Sequence, residues 1–413
     1  MTAIQKIFVV GGGAAGLMAA IHASMPYTEV TVFERNKICG KKILITGKGR
    51  CNVTNNCDVQ TVLANTPTNA RFLYSALNAF TPSDTIDFFE AAGVKLKTER
   101  GNRVFPQSDK ASDIAEALYH SARQNNCHFI HEKVVGLVIN QGSICGVKTD
   151  KNKTYMCDKV ILACGGASYP ATGSTGEGYA LAQQAGHTVI SLKPSLVPLT
   201  SHDTACREMM GLSLKNIAIS ITDKDTKKTV YEDFGEMLFT HFGVSGPVIL
   251  SASTMLKNMR DGKYILHINL KPALTAEQLN ARLIREFENN KNKDFSNILP
   301  SLLPAKMIPI IIRRSNIPSV KKCCQITKEE RYDLISILKS FDIAISGFRP
   351  IEEAIVTSGG VNVKEINPKT MESKLIRNLY FAGEMIDVDA YTGGFNLQIA
   401  FATGFLAGNN AAL

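Results

Sequence analysis

The sequence feature that most constrains the fold lies at the start of the chain, where an apolar, β-branched segment leads into a run of glycines. Residues 4–10 have the composition of a buried strand, Gly11-Gly12-Gly13-Ala14-Ala15-Gly16 satisfies the pattern GxGxxG, and residues 14–25 follow with helical character. A strand, a glycine turn and a helix start in this order form the βαβ unit that binds dinucleotides. The sequence therefore predicts an α/β domain with a Rossmann-like nucleotide site.

Each glycine of this turn has a separate physical role. Gly11 permits the tight turn, Gly13 lets backbone amides approach a pyrophosphate, and Gly16 allows the helix to pack closely on the strand. The helix N-terminus lies at the same place and favours an anion. The residues expected to hold a pyrophosphate are Gly11, Gly13, Ala14, Ala15 and Gly16.

An acidic residue follows the second strand of this unit. Glu34 comes directly after the alternating segment 29–33, where a carboxylate accepts hydrogen bonds from ribose hydroxyl groups. A carboxylate there favours FAD or NAD over a dinucleotide that carries a 2′-phosphate. Glu34 and its neighbour Arg35 are therefore expected at the nucleotide end of the site.

A second glycine-rich segment, near the other end of the chain, distinguishes between these two cofactors. A strand-like run ends at Gly383 and Glu384, and Gly393 and Gly394 then open a helix. An NAD-dependent dehydrogenase does not require this segment, whereas in flavoproteins it closes over the ribityl chain and turns a helix N-terminus toward the flavin. The two ends together predict one non-covalently bound FAD. The contacts expected here are Gly383, Glu384, Asp387, Gly394, Asn396, Leu397 and Gln398.

Between these ends lies a basic, glycine-rich loop, GKKILITGKGRCN, at residues 40–52. It is not a Walker phosphate loop, because six residues separate Gly40 from Gly47 and because Gly49 follows Lys48. Its place after Glu34 predicts donors that run along the pyrophosphate toward the isoalloxazine ring; a solvated basic loop is the alternative. The contacts expected here and in later segments are Lys42, Thr46, Gly47, Gly49, Arg50, Cys51, Asn52, Val134, Ala163, Cys164 and Gly165.

The 413 residues are enough for more than one domain. The α/β pattern stops near residue 192, where short alternating segments and turns begin, and it returns near residue 346. We therefore predict an FAD-binding domain split in sequence, formed by residues 1–192 and 346–413. Residues 193–345 form an insertion that is β-rich over about 193–272 and helical over about 273–345.

Composition and spacing argue against several other classes of protein. A hydrophobic fraction of 45% and a charged fraction of 20% are typical of globular domains. The sequence contains no apolar run of membrane-spanning length and starts without a signal-peptide pattern, so we expect a cytoplasmic protein without membrane contact. The ten cysteines form no CxxC pair and no metal-ligand spacing, so we expect reduced thiols and no metal.

Six motifs occur in order along the chain: VVGGGAAGL, KKILITGKGRCNVTN, ASYPATGSTGEGY, LFTHFGVSGP, TSGGV and FAGEMIDVDAYTGGFNLQIAFATG. In these motifs the sequence resembles the BaiN-like flavoproteins, also described as the aminoacetone-oxidase family of NAD(P)/FAD-dependent oxidoreductases. The resemblance covers almost the whole chain and implies a split Rossmann-like FAD domain with an inserted β-barrel-like subdomain and a small helical subdomain. One departure is Cys164, where many flavoproteins of this fold have threonine, so a side-chain hydroxyl contact is in doubt there.

A flavin supplies the redox chemistry itself, so the protein has to position a substrate and, where needed, transfer a proton. The candidate catalytic residues are Cys51, His241 and Arg50, with Tyr169 and Tyr391 as further polar groups. The alternatives are a buried packing thiol for Cys51 and a turn or core histidine for His241. Because the chain has a single dinucleotide fingerprint, NAD(P)H as the reductant has to dock transiently at the flavin.

Three functions are compatible with this pattern. The first is an NAD(P)H-dependent reductase of a conjugated carbon–carbon double bond, for which the resemblance makes uridine in ribosomal RNA a candidate. The second is a flavin oxidase of a small amine such as aminoacetone, and the third is an FAD-containing binding protein without catalysis. The net charge of +9 favours RNA modestly. The basic residues expected to contact phosphates in the helical insertion are Arg313, Arg314, Lys321 and Lys322.

Overall fold

The computed structural model describes residues 4–413 and divides the chain into two compact units. The first unit contains the residues up to Ser195 together with Pro350–Leu413, and the second contains Leu196–Arg349. Each unit has its own hydrophobic core. The chain therefore leaves the first unit once and returns to it once.

The first unit combines strands and helices from both parts of the chain. Its strands are β1 (Gln5–Val10), β2 (Thr28–Phe33), β3 (Thr54–Asn55), β4 (Leu96–Glu99), β5 (Arg103–Pro106), β6 (His128–Ile130), β7 (Val134–Asn140), β8 (Ser143–Thr149), β9 (Thr154–Met156), β10 (Lys159–Leu162), β11 (Val189–Ser195), β19 (Val356–Val361) and β20 (Leu379–Phe381). Its helices are α1 (Ala14–Ala23), α2 (Val59–Ala64), α3 (Tyr74–Ala79), α4 (Pro82–Ala91), α5 (Ala111–Gln124), α6 (Gly178–Gln184) and α13 (Phe395–Ala412).

A five-stranded parallel sheet in the order β20-β10-β1-β2-β6 forms the centre of this unit. The last four residues of β1 and all of β10 are buried, as expected for parallel strands that are covered on both faces. The register places Val10 beside both Phe33 and Leu162, and Leu162 beside Phe381. The carboxyl ends of four strands therefore meet at one edge, where open α/β sheets bind their ligands.

Three smaller sheets surround this centre. They are the antiparallel sheets β3-β5-β4 and β7-β8-β9 and the pair β11-β19. The first of them attaches the segment that follows residue 40 to the hairpin of β4 and β5. The last one joins the end of the first part of the chain to the start of the returning part.

The second unit is built on a seven-stranded antiparallel sheet. Its strands, in sheet order, are β17 (Phe341–Ile345), β16 (Tyr264–Asn269), β13 (Ser213–Asp223), β14 (Lys228–Thr240), β15 (Gly243–Ser245), β12 (Leu199–Thr200) and β18 (Gly347–Phe348). Its helices are α7 (Thr204–Glu208), α8 (Pro247–Ser253), α9 (Ala276–Asn289), α10 (Phe295–Ile298), α11 (Ile308–Ser315) and α12 (Lys328–Lys339).

A titratable side chain lies in the core of the first unit. His22, on α1, packs edge-on against Phe405 with ring centroids 4.5 Å apart, and Phe80 and Phe88 lie beside it. Its buried Nε2 atom has no hydrogen-bond partner among the described residues. Burial lowers the pKa of His22 to about 4, so the imidazole is neutral in the folded protein at physiological pH.

This burial predicts a loss of stability in weak acid. The folded pKa lies below the unfolded value of 6.5, so the unfolded chain binds the proton first and stability falls from pH 6.5 to about pH 4. The contribution of His22 to that fall is about 3 kcal/mol. In urea unfolding across this range, His22→Phe should flatten the dependence on pH, whereas the exposed control His128→Gln should not. A profile that His22→Phe leaves unchanged would contradict the assignment.

Candidate active site

The glycine turn between β1 and α1 has the geometry that a close ligand requires. Gly11 has a φ of +107°, which L side chains rarely adopt. A Cβ atom at Gly16 would lie 1.8 Å from the carbonyl oxygen of Gly11, so this glycine permits the close packing of the helix on the turn. At Gly13, by contrast, a Cβ atom would meet nothing within 4 Å. The turn therefore packs tightly against α1 at Gly16, whereas the space beside Gly13 is free for a ligand.

Glu34 lies beside this turn at the carboxyl end of β2. The residue is only 9% exposed, its Oε2 atom accepts a hydrogen bond from the amide of Gly12 at 2.8 Å, and its Oε1 atom accepts one from the amide of Asn36 at 2.8 Å. These bonds fix the carboxylate and leave lone pairs for a further donor. The arrangement suits the two hydroxyl groups of a ribose.

A cleft opens to solvent at the carboxyl edge of the central sheet, and the turn and Glu34 line it. The structure brings together most of the residues that the sequence predicts for the cofactor. Those in the lining are Gly11, Gly13, Ala14, Ala15, Glu34, Arg35, Lys42, Thr46, Val134, Ala163, Cys164, Gly165, Glu384, Asn396 and Leu397. Those outside the lining are Gly16, Gly47, Gly49, Arg50, Cys51, Asn52, Gly383, Asp387, Gly394 and Gln398.

An ion pair crosses the cleft wall between the two parts of the first unit. The ammonium of Lys42 lies 2.7 Å from Oε2 of Glu384 and donates to the hydroxyl of Ser168 at 2.6 Å. Oε1 of Glu384 accepts from the amide of Thr357 at 2.8 Å. Burial alone would raise the pKa of Glu384, but the ammonium and the hydrogen bonds outweigh it and hold the pKa below the ordinary value. The Glu384 carboxylate is therefore ionised at neutral pH.

A loop at residues 168–177, which we name the strap, forms one side of the cleft. Lys41 donates to the carbonyl of Ala171 at 2.7 Å, and Glu177 forms ion pairs of 2.6 Å with Arg35 and with Lys133. The Lys133 ammonium is the main cause that lowers the pKa of Glu177 to about 2. Glu177 makes no side-chain capping bond to α6, so it holds the strap rather than the helix.

The structure gives Arg50 a different role from the catalytic one that the sequence suggests. Its guanidinium forms ion pairs with Glu99 and Asp109 and lies 4.2 Å from the centre of the Phe105 ring. These contacts attach the end of the basic loop to the β4–β5 hairpin. With its charge satisfied by two carboxylates and its side chain outside the cleft lining, Arg50 is a structural residue of the loop.

Cys51 is also placed differently from a proton donor. Its side chain is 0% exposed, its φ is +58°, and burial raises the pKa of its thiol to about 12. A thiol without solvent-accessible surface cannot contact a substrate in this conformation. The alternative of a buried packing thiol fits the structure.

Gln398 belongs to the packing of the first unit rather than to the cleft. Its Oε1 atom accepts from the hydroxyls of Thr54 and Thr85, each at 2.7 Å, and its amide donates to the carbonyl of Phe80 at 2.9 Å. The side chain is fully buried and its hydrogen-bonding groups are used. Its side chain therefore has no free group to offer a cofactor.

Two further residues that the sequence predicts for the site, Asp387 and His241, do not line the cleft. Asp387 is half-buried and accepts a hydrogen bond from Asn69 at 3.0 Å, outside the cleft lining. His241 belongs to the second unit, in the turn after β14, where its exposed ring packs edge-on against Phe242. A turn histidine was one of the two alternatives for this residue.

The cleft also contains polar residues that the sequence does not predict. Asn36 bonds to Oε1 of Glu34 and to the strap carbonyl of Thr172, and Lys133 reaches Glu177. The position of Asn36, two residues after Glu34, is a signal that local hydrogen bonding could have revealed. Lys133 has no such signal, because its ion pair joins residues that are far apart in the sequence.

These residues fit FAD. Gly13 leaves room where a pyrophosphate would lie against the start of α1, and Glu34 offers a carboxylate for the ribose. The buried Oδ1 atom of Asn52, at the far end of the basic loop and outside the cleft lining, has no hydrogen-bond partner among residues 4–413. Within the same residues no group of three or more His, Cys, Asp or Glu side chains could hold a metal ion, and no helix is long and apolar enough to cross a membrane.

Comparisons with known proteins find one matching family and relatives that align with nearly the whole chain. The family described as the HI0933-like protein Rossmann domain matches residues 5–410. A 3-dehydro-bile acid delta(4,6)-reductase of Clostridium scindens is 32% identical over 99% of both chains. A ribosomal RNA dihydrouridine synthase of Escherichia coli is 30% identical over 96% of this chain and 95% of its own.

A solved structure shows the same fold at low identity. The 3-ketosteroid delta1-dehydrogenase from Sterolibacterium denitrificans, in complex with 1,4-androstadiene-3,17-dione, covers 99% of this chain and 99% of its own with a TM-score of 0.51. Its sequence is 12% identical, so the likeness concerns the fold alone. Together with the family match, it confirms the predicted Rossmann-like α/β fold.

Proposed function

The chain belongs to the HI0933-like family of FAD-dependent oxidoreductases, and on that premise we propose that it is an NAD(P)H-dependent reductase of a carbon–carbon double bond conjugated to a carbonyl group. One observation carries this proposal. Two relatives that align with nearly the whole chain have names that describe the saturation of such a bond, in a bile acid and in uridine. The two relatives therefore support the type of reaction, the saturation of a conjugated double bond, rather than one particular substrate.

Several residues of the chain would prepare this reaction. Bound FAD would supply the redox chemistry, in which a hydride from NAD(P)H is passed on to the β-carbon of the conjugated bond. The turn at Gly13 and the start of α1 would hold the pyrophosphate, and Glu34 the ribose. The strap and the Lys42–Glu384 pair would close the cleft wall around the cofactor and exclude water.

The α-carbon of the substrate needs a proton to complete the reduction. Cys51 is inaccessible and Arg50 is bound to two carboxylates, so neither is proposed as the donor. Tyr169 and Tyr391 are both half-buried in the first unit and remain the candidates for this step. Burial raises the pKa of Tyr169, which keeps its hydroxyl protonated at neutral pH.

Ribosomal RNA is a second candidate substrate, because the relative from Escherichia coli carries that activity in its name. The basic cluster expected to contact RNA does not supply free charge, since each of its four members pairs with a carboxylate. The pairs are Arg313–Glu208 at 2.8 Å, Arg314–Asp203 at 2.6 Å, Lys321–Glu330 at 2.6 Å and Lys322–Asp294 at 2.8 Å. The phosphate contacts of these four residues therefore stay a prediction, in which RNA phosphates have to exchange with these carboxylates.

The other two functions make different predictions. An amine oxidase would be reduced by aminoacetone and would release hydrogen peroxide in air. A binding protein without catalysis does not agree with membership of an oxidoreductase family. The choice therefore lies between reduction by NAD(P)H and reduction by an amine.

The proposal is tested by product analysis. The purified FAD-loaded protein is supplied with NADPH or NADH under anaerobic conditions and offered a 3-oxo-Δ4 steroid, a bile-acid dienone or ribosomal RNA transcribed without modification. We expect one of these acceptors to gain two hydrogens at the conjugated bond, detected by mass spectrometry. Peroxide formation from aminoacetone, without any reduced acceptor, would refute the reductase and support the oxidase.

A further inference from the structure

A hairpin of the first unit carries an excess of positive charge. Strands β4 and β5 pair so that Glu99 faces Arg103 and Lys97 faces Phe105, on one face of the small sheet. The end of the basic loop lies on this face, because Arg50 packs over Phe105. We name the side chains of Lys48, Arg50, Lys97, Arg100 and Arg103 the basic hairpin.

Two of these cations are neutralised and three are not. Arg50 and Lys97 both form ion pairs with Glu99 and Asp109. No carboxylate among residues 4–413 lies within ion-pair distance of the other three side chains. These three exposed cations are Lys48, Arg100 and Arg103.

The hairpin holds the side chain of Arg103, one of its two free arginines, in a defined place. Nε of Arg103 donates to the carbonyl of Arg100 at 3.0 Å, and its guanidinium lies 5.7 Å from the centre of the Phe105 ring. Phe105 is only 4% exposed and thus provides a fixed support. The Nη groups of Arg103 keep free donors that can bind an anionic oxygen in a bidentate manner.

The tip of the hairpin is attached to the segment that begins α13. The side-chain amide of Asn55 donates to the carbonyl of Gly101, in the tip, and to the carbonyl of Gly393, each at 3.0 Å. Asn396 and Leu397, in the first turn of α13, line the cofactor cleft. The hairpin tip, where Arg100 and Arg103 flank Gly101, is therefore joined through Asn55 to the segment that leads into α13 and the cleft.

We propose that Arg100 and Arg103, with Lys48, form the binding site for the phosphates of the nicotinamide dinucleotide that reduces the flavin. This inference rests on the proposed function. The single GxGxxG turn belongs to the FAD cleft, so a second dinucleotide has to be held by side chains. Its phosphates carry the charge that three unpaired cations select, and arginine is the residue best suited to bind them.

The test uses the FAD-loaded protein and measures the affinity for NADPH and NADH under anaerobic conditions, from the dependence of the flavin reduction rate on nucleotide concentration. NADP⁺ titrated against the flavin absorbance gives a second affinity that does not depend on turnover. For R100Q/R103Q we expect both dissociation constants to rise about ten- to hundredfold, because two charge-assisted contacts are lost. Reduction by dithionite and the flavin spectrum should stay as in the wild type.

Lys95→Gln is the matched control, since Lys95 is an exposed cation at the opposite end of the same hairpin, where its carbonyl accepts from Gln107. It should bind the nucleotides as the wild type does. The proposed phosphate site would be overturned if R100Q/R103Q bound both nucleotides as tightly as the wild type. It would also be overturned if the double variant lost affinity only for the substrate that accepts the electrons. If neither nucleotide reduces the wild type, the proposed function itself fails, which is a different result.

Discussion

Gly13→Val is expected to give a folded protein that does not retain FAD. Gly13 has an ordinary φ of −83°, and a Cβ atom there meets nothing within 4 Å, so the valine costs the fold little. The same space is where the pyrophosphate has to approach the backbone amides at the start of α1. We expect the dissociation constant for FAD to rise about a hundredfold or more, measured by the quenching of FAD fluorescence.

The comparison variant for this experiment is Gly16→Val, in the same turn. Its Cβ atom would lie 1.8 Å from the carbonyl oxygen of Gly11, so this variant should fail to fold. The circular dichroism spectrum and Tm of apo Gly13→Val should match those of the apo wild type. A Gly13→Val protein that binds FAD as tightly as the wild type would show that the pyrophosphate does not lie on this turn.

Lys42→Met is expected to destabilise the protein by about 2 kcal/mol at pH 7, between the values for exposed and for fully buried ion pairs. The substitution leaves the Glu384 carboxylate half-buried without its ammonium partner, and burial then raises its pKa. In the wild type the pKa of Glu384 is lowered, so the pair stabilises the fold at neutral pH and this contribution is lost as the pH falls through the folded pKa. The difference between wild type and variant should therefore shrink in acid.

A double-mutant cycle with Glu384→Gln isolates the interaction. The two substitutions together should cost less than the sum of their separate effects in urea unfolding. Lys41→Met is the control, because Lys41 donates only to a strap carbonyl and is exposed. Additive effects of Lys42→Met and Glu384→Gln would mean that the ion pair does not join the two parts of the first unit.

The sequence predicts the glycine turn and the acidic residues of the cleft because these features depend on short, local patterns. The glycine turn and Glu34 are signals local to a single βαβ unit, and each requires one particular residue type at one position. Glu384 could be placed because it closely follows a strand, and parallel strands bring their carboxyl ends to the same edge of the sheet. The comparison with known families then confirms the Rossmann-like fold and the oxidoreductase class.

What the sequence could not supply are contacts between side chains that are distant along the chain. Arg50 looks like a reactive group of the basic loop, but its carboxylate partners are Glu99 in β4 and Asp109 after β5, which lie 49 and 59 residues later. Gln398 follows a glycine-rich segment, yet it turns into the core toward Thr54 and Thr85. Arg313 and Arg314 form a basic run whose charge is cancelled by acids in another helix and its cap.

The central claim is that this chain passes electrons from NAD(P)H through FAD to a conjugated double bond. Anaerobic stopped-flow mixing of the oxidised, FAD-loaded protein with NADPH, NADH or aminoacetone tests it directly. We predict loss of the oxidised-flavin absorbance with at least one of the two nucleotides and none with aminoacetone, followed by reoxidation when a conjugated carbonyl acceptor is added. Rapid reduction by aminoacetone with no reduction by either nucleotide would contradict the account.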